Sequence, residues 1–269
     1  MYLDYYGLKE NPFSVTPDPR YLYFSPHHQE AYCHIIYGIE QRKGFIEITG
    51  EVGCGKTTIC RAVLSALSDT VKTALILNPT LSETQLLRAM LNDFGLSVQG
   101  RDRLTYIETL NRFLLQMNES GANVALLIDE AQDLSPNVME QVRLLSNLET
   151  DQHKLIQIVL VGQPELKQRL ESTGLRQLRQ RIAVRYHISL LTREQTAVYI
   201  GHRLKVAGSD GRITFDQDSI TLVQAYSHGT PRLINSLCDN VMLAGYVART
   251  TTMDAACVKR AIMQLEGTE

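Results

Sequence analysis

The sequence lacks three features that would each define a class of protein. No apolar run in its 269 residues approaches the roughly 18 that a membrane-spanning helix needs. The first ten residues carry charges and tyrosines in place of the apolar core of a signal peptide. Basic residues are not in excess, since the formal net charge is −2. We therefore expect no membrane-spanning segment, no signal peptide and no overall electrostatic attraction to nucleic acid, although a local basic patch is not excluded.

Cysteine is sparse and shows no metal-binding spacing. No Cys-x-x-Cys pair occurs among Cys33, Cys54, Cys60, Cys238 and Cys257. An odd, scattered set of cysteines is typical of free thiols in a reducing compartment. The adjacent His27 and His28 do not indicate a metal site either, because they fall on a helix predicted to begin at Pro26, where neighbouring side chains point apart.

A glycine-rich stretch is the strongest signal that is present. It fits the pattern G-x-x-x-x-G-K-[ST] and consists of Gly50, Glu51, Val52, Gly53, Cys54, Gly55, Lys56, Thr57 and Thr58. A strand-like segment, 45–49, precedes it and a helical apolar pattern, 58–67, follows it. Glycines let backbone N–H groups turn towards a polyphosphate, and the helix N-terminus adds partial positive charge. The stretch therefore predicts a phosphate-binding loop in which Lys56 reaches the β- and γ-phosphates and the Thr57 hydroxyl binds Mg²⁺.

A second chemical motif ends the apolar segment 124–128. The segment is typical of a parallel strand buried on both faces, and Asp129 and Glu130 follow it directly. In open α/β sheets, ligands bind at the carboxyl ends of strands, so both carboxylates should lie where the phosphates are expected. Adjacent side chains point in different directions, which allows separate roles. We expect Asp129 to hold Mg²⁺, through water, and Glu130 to orient and deprotonate the attacking water.

Two later segments carry further candidates. Gln163 follows the apolar strand pattern 155–161 and could hydrogen-bond the γ-phosphate or the water, or be a loop glutamine before Pro164. The segment 175–185 contains Arg176, Arg179, Arg181 and Arg185. Four arginines without acidic neighbours in sequence repel one another, so they indicate an anionic partner.

The N-terminal arm, residues 2–26, is rich in tyrosine and proline. Prolines at Pro12, Pro17, Pro19 and Pro26 forbid a continuous helix or a central strand. The arm must therefore lie on another part of the protein to be ordered. Two compatible interpretations stay open: a packed arm, or an adenine pocket lined by Asn11, Pro12 and Phe13.

These motifs together resemble the AAA+ ATPases, which also carry a sequence like the Gly-Thr-Pro-Arg that ends at Arg232. Two stretches are similar to the ATPase module of the general secretion pathway protein A family: Tyr-Tyr-Gly-Leu-Lys-Glu-Asn-Pro-Phe-Ser near the start, and Asp-Glu-Ala-Gln from Asp129. The resemblance covers essentially the whole chain. It implies the sensor-1 role for Gln163, where the family more often has Asn, and the sensor-2 role for Arg232. It also implies an arginine finger, for which Arg181 is the first candidate and Arg179 the second.

The predicted fold is an α/β P-loop core with a parallel five-stranded sheet flanked by helices, followed by a small all-α lid. We expect the ATPase domain at residues 1–190, with the arm at 1–26, and the lid at 191–269. Helices are predicted at 193–204, 216–227, 231–249 and 253–265. Arg232, in the first turn of one of these helices, has reason to face the nucleotide.

The resemblance implies Mg-dependent ATP hydrolysis that drives oligomeric assembly or remodelling of a partner. It also implies self-association with a shared ATP site, and a secretion-complex partner at the inner membrane. The expected location is the cytoplasm, with a tether to the inner membrane where a segment outside this chain supplies one. The alternatives are a DNA-binding AAA+ regulator of transposition, permitted by the arginines, and a scaffold that binds nucleotide without turnover.

Overall fold

The computed structural model describes residues 2–67, 71–98, 100, 102–150 and 153–267. Residue 1 of the predicted arm and residues 268–269 of the predicted lid lie outside the described residues. The chain divides into two compact units. The sheet unit comprises His27–Gly50 and Ile59–Ile188. The helical unit comprises the arm up to Pro26, the loop Glu51–Thr58 and the chain from Ser189 onward.

Strands and helices alternate through the first two thirds of the chain. The strands are β1 (Phe45–Gly50), β2 (Val71–Ile76), β3 (Asn123–Ile128), β4 (Gln157–Gly162), β5 (Ile182–Ile188), β6 (Thr214–Phe215) and β7 (Thr252–Met253). The helices are α1 (Tyr2–Tyr6), α2 (Pro26–Glu40), α3 (Lys56–Ala66), α4 (Glu83–Asp93), α5 (Arg103–Glu119), α6 (Pro136–Leu145), α7 (Pro164–Leu170), α8 (Arg176–Arg181), α9 (Arg193–Val206), α10 (Gln217–Ser227), α11 (Pro231–Val247) and α12 (Ala255–Glu266).

The sheet unit is built on five parallel strands in the order β2-β3-β4-β1-β5. Every residue of β1, β3 and β4 is buried, as expected for central strands covered on both faces. One face packs into a core shared with α4 to α8. On the other face α2 lies so close that a Cβ on Gly38 would stand 2.5 Å from Cδ1 of Ile46. The predicted parallel sheet is confirmed.

Parallel pairing brings the carboxyl ends of β1, β3 and β4 to one edge of the sheet, here called the carboxyl edge. The opposite edge, at which β5 begins after α8, is called the amino edge. Residues that follow β3 and β4 therefore meet at the carboxyl edge. The arginine segment lies at the other end.

The helical unit packs α9 to α12 around one apolar core. The prediction of helices alone was wrong in detail, because β6 and β7 pair in parallel through two residues each. Each strand contains a threonine, Thr214 in β6 and Thr252 in β7, and β-branched residues favour extended backbone. Met253, predicted to start the last helix, lies in β7; the helix begins after Asp254, whose carboxylate accepts the Cys257 N–H at 2.9 Å.

The arm packs against the C-terminal helices. Tyr6 and Phe13 are buried in their core, and the Tyr6 hydroxyl donates to the Met242 carbonyl at 3.1 Å. The buried Arg203 guanidinium donates to the carbonyls of Pro12 (2.5 Å) and Ser14 (2.8 Å). The compact units thus group the arm with the C-terminal helices, because its aromatic residues share their core. The division at residues 190 and 191 remains a prediction. No helix among the described residues is long and apolar enough to cross a membrane.

Candidate nucleotide-hydrolysis site

The glycine-rich loop has a backbone that only glycine adopts easily. Gly53 has φ +76° and Gly55 has φ +101°, both in the left-handed region. Helix α3 begins at Lys56, so its first N–H groups lie next to the loop. The Lys56 ammonium is buried and donates to the Glu51 carbonyl at 3.0 Å. Cys54 is fully buried, and burial raises the pKa of its thiol.

The helical unit places the start of α11 against this loop. The Arg232 backbone N–H donates to the Gly53 carbonyl at 3.2 Å. A Cβ on Gly53 would stand 2.6 Å from the Cβ of Arg232, so no larger residue fits there without displacement. Pro231 occupies the first turn, and the Thr230 side chain makes no capping hydrogen bond. The structure therefore brings the predicted sensor-2 residue to the loop, through its backbone, while its side chain is exposed.

Asp129 and Glu130 stand at the carboxyl edge, directly after β3. The Asp129 N–H donates to the Ile76 carbonyl at 2.9 Å, which extends the β2–β3 ladder by one step. Asp129 is only 2% exposed, and its Oδ1 accepts the Glu130 N–H at 2.9 Å. Glu130 has φ +50°, rare for a residue with a Cβ, so the chain turns sharply between the two carboxylates. The division of roles between the two carboxylates remains a prediction.

Gln163 is brought to Glu130. It follows β4 and precedes α7, and its Nε2 donates to Glu130 Oε2 at 3.1 Å. The sequence predicted a contact with the γ-phosphate or the water; the structure adds a direct contact with the proposed base. The extra methylene of Gln relative to Asn lengthens the reach of the amide.

Sequence reasoning missed Gln132 as a functional residue. Its Nε2 donates to the same Glu130 Oε2 at 2.8 Å, and its Oε1 accepts the Gln163 N–H at 3.0 Å. From the sequence, Gln132 was noted only as the last residue of the Asp-Glu-Ala-Gln stretch, with no role of its own. The available signal was its place two residues after the proposed base, in a segment that must turn at the carboxyl edge.

The arginine segment is not brought to Glu130. Arg181 ends α8 and donates to Ser146 Oγ at 2.7 Å and to Asn147 Oδ1. Arg179 is exposed, and its carbonyl accepts from Arg185 Nη2 at 2.6 Å. These residues lie at the amino edge, and a seven-residue strand such as β5 spans about 20 Å. The candidate fingers therefore lie at the opposite edge from the Glu130 of their own chain, at least about a strand's length away.

The arm residues proposed for an adenine pocket are held in the helical unit. Asn11 Nδ2 donates to Asp239 Oδ1 at 3.1 Å, and Asn11 Oδ1 accepts the Phe13 N–H at 2.8 Å. Pro12 is buried and Phe13 is 1% exposed, with its ring 6.5 Å from that of Phe215. The packed arm is thus observed. The adenine pocket remains a prediction.

Comparison with known sequences gives two findings. Residues 39–170 match a protein-family model described as AAA domain. Over 247 residues, 91% of the chain, the sequence is 45% identical to general secretion pathway protein A of Aeromonas hydrophila. The chain spans 45% of the length of that relative. The sequences thus support the resemblance predicted above.

Comparison with solved structures gives the fold. The Aeropyrum pernix ORC2 protein, in ADPNP–ADP complexes, superposes with a TM-score of 0.71 at 14% identity, covering 94% of this chain and 71% of that one. The Thermotoga maritima RuvB Holliday junction branch migration motor gives 0.58 at 18% identity, covering 88% and 68%. At these identities the likeness shows the fold alone, and it agrees with the predicted P-loop core.

Proposed function

We propose that this chain, an ATPase resembling the AAA+ proteins and general secretion pathway protein A, uses Mg-dependent ATP hydrolysis to drive the assembly or remodelling of a partner. One observation carries the proposal most directly. At the carboxyl edge, the Glu130 carboxylate is held by the Gln163 amide at 3.1 Å, next to the buried Asp129. β1 of the same sheet runs directly into the glycine loop at Glu51. A fixed carboxylate beside a second carboxylate is the arrangement that a general base and a metal-binding acid require.

The loop supplies the binding groups. Lys56 is the cation proposed to face the β- and γ-phosphates, with backbone N–H groups at the start of α3. The Thr57 hydroxyl and the Asp129 carboxylate each offer an oxygen donor of the kind that Mg²⁺ prefers, and we propose both as its ligands. Bound Mg²⁺ would neutralise charge on the phosphate oxygens. The adenine pocket is proposed to be lined by Asn11, Pro12 and Phe13.

The hydrolytic step is assigned to the carboxyl edge. Glu130 is proposed to accept a proton from the attacking water as that water's oxygen bonds to the γ-phosphorus. The bond between the γ-phosphorus and the β,γ-bridging oxygen breaks in the same step, so ADP leaves with that oxygen and phosphate is released. Gln163 would hold that carboxylate and sense the γ-phosphate. Arg232, anchored at Gly53 by its backbone, would bring its guanidinium to the nucleotide.

The arginine segment is proposed to complete the site of a neighbouring copy. Arg181, or Arg179 as second choice, lies about 20 Å from its own carboxyl edge, as the length of β5 requires. A guanidinium placed so far away cannot stabilise charge on a phosphate bound at that edge. Self-association into a ring or another oligomer with shared sites would place this guanidinium beside the phosphates bound by a neighbouring copy.

The name of the relative, general secretion pathway protein A, supports a secretion-related role for this ATPase. Within that role we propose a partner at the inner membrane and secretin assembly as the work done. The chain spans less than half of that relative, so the partner and any tether belong to the proposal.

DNA binding is the second candidate. It is favoured by one observation: Arg176, Arg179, Arg181 and Arg185 are all exposed. Such a patch would bind phosphates with an affinity that falls steeply with salt. DNA-stimulated hydrolysis with that salt dependence would favour this candidate over the secretion role.

Glu130→Gln tests the catalytic assignment. This variant keeps the size of the side chain, so it should bind Mg-ATP as the parent does. Its turnover should fall on the order of a hundredfold or more, the scale of a lost general base. Asp129→Ala should instead weaken the dependence on Mg²⁺. Parental turnover by Glu130→Gln, measured as phosphate release at saturating ATP, would refute the assigned role.

A further inference from the structure

We propose that Gln132 is a positioning residue that sets the carboxylate of Glu130 for attack by water. The inference rests on the proposed ATPase function and adds a residue to its site. The observation behind it is that one amide group contacts both residues assigned to the hydrolytic step.

Both ends of the Gln132 amide are engaged. The Nε2 group donates to Glu130 Oε2 at 2.8 Å, and Oε1 accepts the backbone N–H of Gln163 at 3.0 Å. These two bonds fix which end of the amide is which, because a flipped amide would present donor to donor and acceptor to acceptor. A weaker third contact joins Nε2 to Asp133 Oδ2 at 3.3 Å.

The backbone that carries Gln132 is also held. The Arg169 guanidinium donates to the carbonyls of Gln132 and Leu134, the latter at 2.6 Å. At the end of β4, a Cβ on Gly162 would stand 2.8 Å from Gln132 Oε1. A glycine there leaves the room that the amide occupies. The segment after Glu130 is thus fastened to α7 at its backbone and to the end of β4 at its side chain.

Two amide donors, from Gln132 and Gln163, converge on the same Glu130 oxygen. Two donors restrict rotation of the carboxylate more than one donor does, and an amide has no titratable proton to give up in exchange. Glu130 can therefore keep a fixed orientation and still accept a proton. A residue that only held the chain between β4 and α7 in place would need the bond to the Gln163 N–H alone.

Two substitutions separate these roles. Gln132→Met keeps the length of the side chain and removes both bonds. Gln132→Glu keeps the acceptor for the Gln163 N–H, but it replaces the donor to Glu130 by a like charge. If positioning of Glu130 is the role, both variants should lose turnover on the order of tenfold or more. KM and the affinity for a fluorescent ATP analogue should stay near the parent values.

Asp133→Asn is the matched control. It alters the third contact of the same amide without touching Glu130, and it should turn over ATP at the parental rate. A second arm uses the Glu130→Gln background, in which adding Gln132→Met should cause no further loss, because the base it positions is gone. Thermal unfolding of each variant reports whether the fold is kept.

The outcomes are distinct. Parental turnover by Gln132→Glu, or an equal further loss when Gln132→Met is added to Glu130→Gln, would overturn the positioning role. If Gln132→Met is unstable, Gln132→Glu still tests the positioning role, because it keeps the acceptor for the Gln163 N–H. Absence of turnover in the parent, or parental turnover in Glu130→Gln, would instead refute the proposed function.

Discussion

The two edges of the parallel sheet differ in how their polar groups are satisfied. At the carboxyl edge, the half-buried Glu130 carboxylate accepts two amide hydrogen bonds, and the adjacent Asp129 is 2% exposed. At the amino edge, the arginines are exposed, and Arg181 donates to the neutral side chains of Ser146 and Asn147. The carboxyl edge is thus arranged around groups of its own chain, whereas the amino edge presents charge outward. This difference is the basis for proposing chemistry at the first edge and recognition of an anion at the second.

One ion pair complicates this picture. Glu47 in the middle of β1 is buried and pairs with Arg185 on β5 at 3.1 Å. A cavity of about 410 Å³ opens beside the pair. Arg185 therefore has an internal partner that Arg181 does not have among its hydrogen bonds. The comparison predicts that removing Arg185 harms folding and that removing Arg181 harms catalysis.

The largest effect is expected from the loop that continues β1. Lys56→Ala should abolish measurable ATP affinity while the fold is kept, because the glycine stretch contains no second lysine to face the polyphosphate. Titration with a fluorescent ATP analogue measures this. Lys72→Ala, which removes an exposed lysine from β2, should bind as the parent does. Near-parental affinity of Lys56→Ala would remove the loop from the proposed site.

The next effect sharpens the contrast between the edges. Arg181→Ala should leave ATP affinity nearly unchanged but lower turnover strongly, since an arginine finger contributes about 10³–10⁵ in rate. Parental turnover should rise with protein concentration, because the finger would act on a neighbour. Arg176→Ala, in the same helix, is the matched control and should have little effect.

A mixture tests whether the site is shared. Combining Arg181→Ala with Glu130→Gln should restore part of the activity, because some interfaces would pair an intact Glu130 with an intact Arg181. No rescue, together with specific activity that is the same for monomer and oligomer, would rule a shared site out. Lost stability of Arg181→Ala in place of lost turnover would assign Arg181 a structural role through Ser146 and Asn147.

Much of the sheet unit was predictable because buried parallel strands have a strong signature. The apolar runs that became β1, β3 and β4 were identified within a few residues. Capping boxes are present at Ser82 and Thr192, where the Gln three residues later returns its side chain to the cap. These signals are local, and each is satisfied within one element and its immediate neighbours.

The elements that were missed have weak or ambiguous local signals. No helix was predicted at α6 or α7, although each begins with proline after a residue in extended conformation. β6 and β7 are two residues long, too short for any periodicity. The packing partner of the arm depends on contacts more than 200 residues apart in sequence, such as Tyr6 with Met242.

The candidate site also has a part that the sequence predicted and a part that it did not. Its residue types and spacing predicted Lys56, Asp129, Glu130 and Gln163. The role of Gln132 depends on the left-handed turn at Glu130, φ +50°, which brings the amide back to the carboxylate. A pattern of residue types does not encode that turn, since residues with a Cβ rarely adopt it.

The smallest expected effect concerns the ion pair at the amino edge. Arg185→Ala leaves the buried Glu47 carboxylate without its cation, which should cost on the order of 1–3 kcal/mol of unfolding free energy at neutral pH. Glu47→Gln alone should cost less, because it removes the charge whose burial is unfavourable. The double variant should recover much of the loss, since no unpaired carboxylate remains. Denaturant titration of the four proteins gives the coupling between the two residues.

The direction of the Glu47 pKa shift predicts how the stability loss in Arg185→Ala depends on pH. Burial raises the pKa of Glu47 above its ordinary value of 4.5, and Arg185 only partly opposes the shift. An acid whose pKa is raised by folding binds its proton more tightly in the folded state, so its contribution to stability falls as the pH rises through that range. Without Arg185 the pKa of Glu47 should rise further. The loss of unfolding free energy in Arg185→Ala should therefore be small below about pH 4.5, where Glu47 is protonated in the folded and the unfolded state. It should grow towards neutral pH, where the folded variant holds an unpaired carboxylate. A loss that is the same at acidic and neutral pH, or that Glu47→Gln does not relieve, would show that Arg185 acts through packing of its aliphatic stem, and the proposed charge pairing would be wrong.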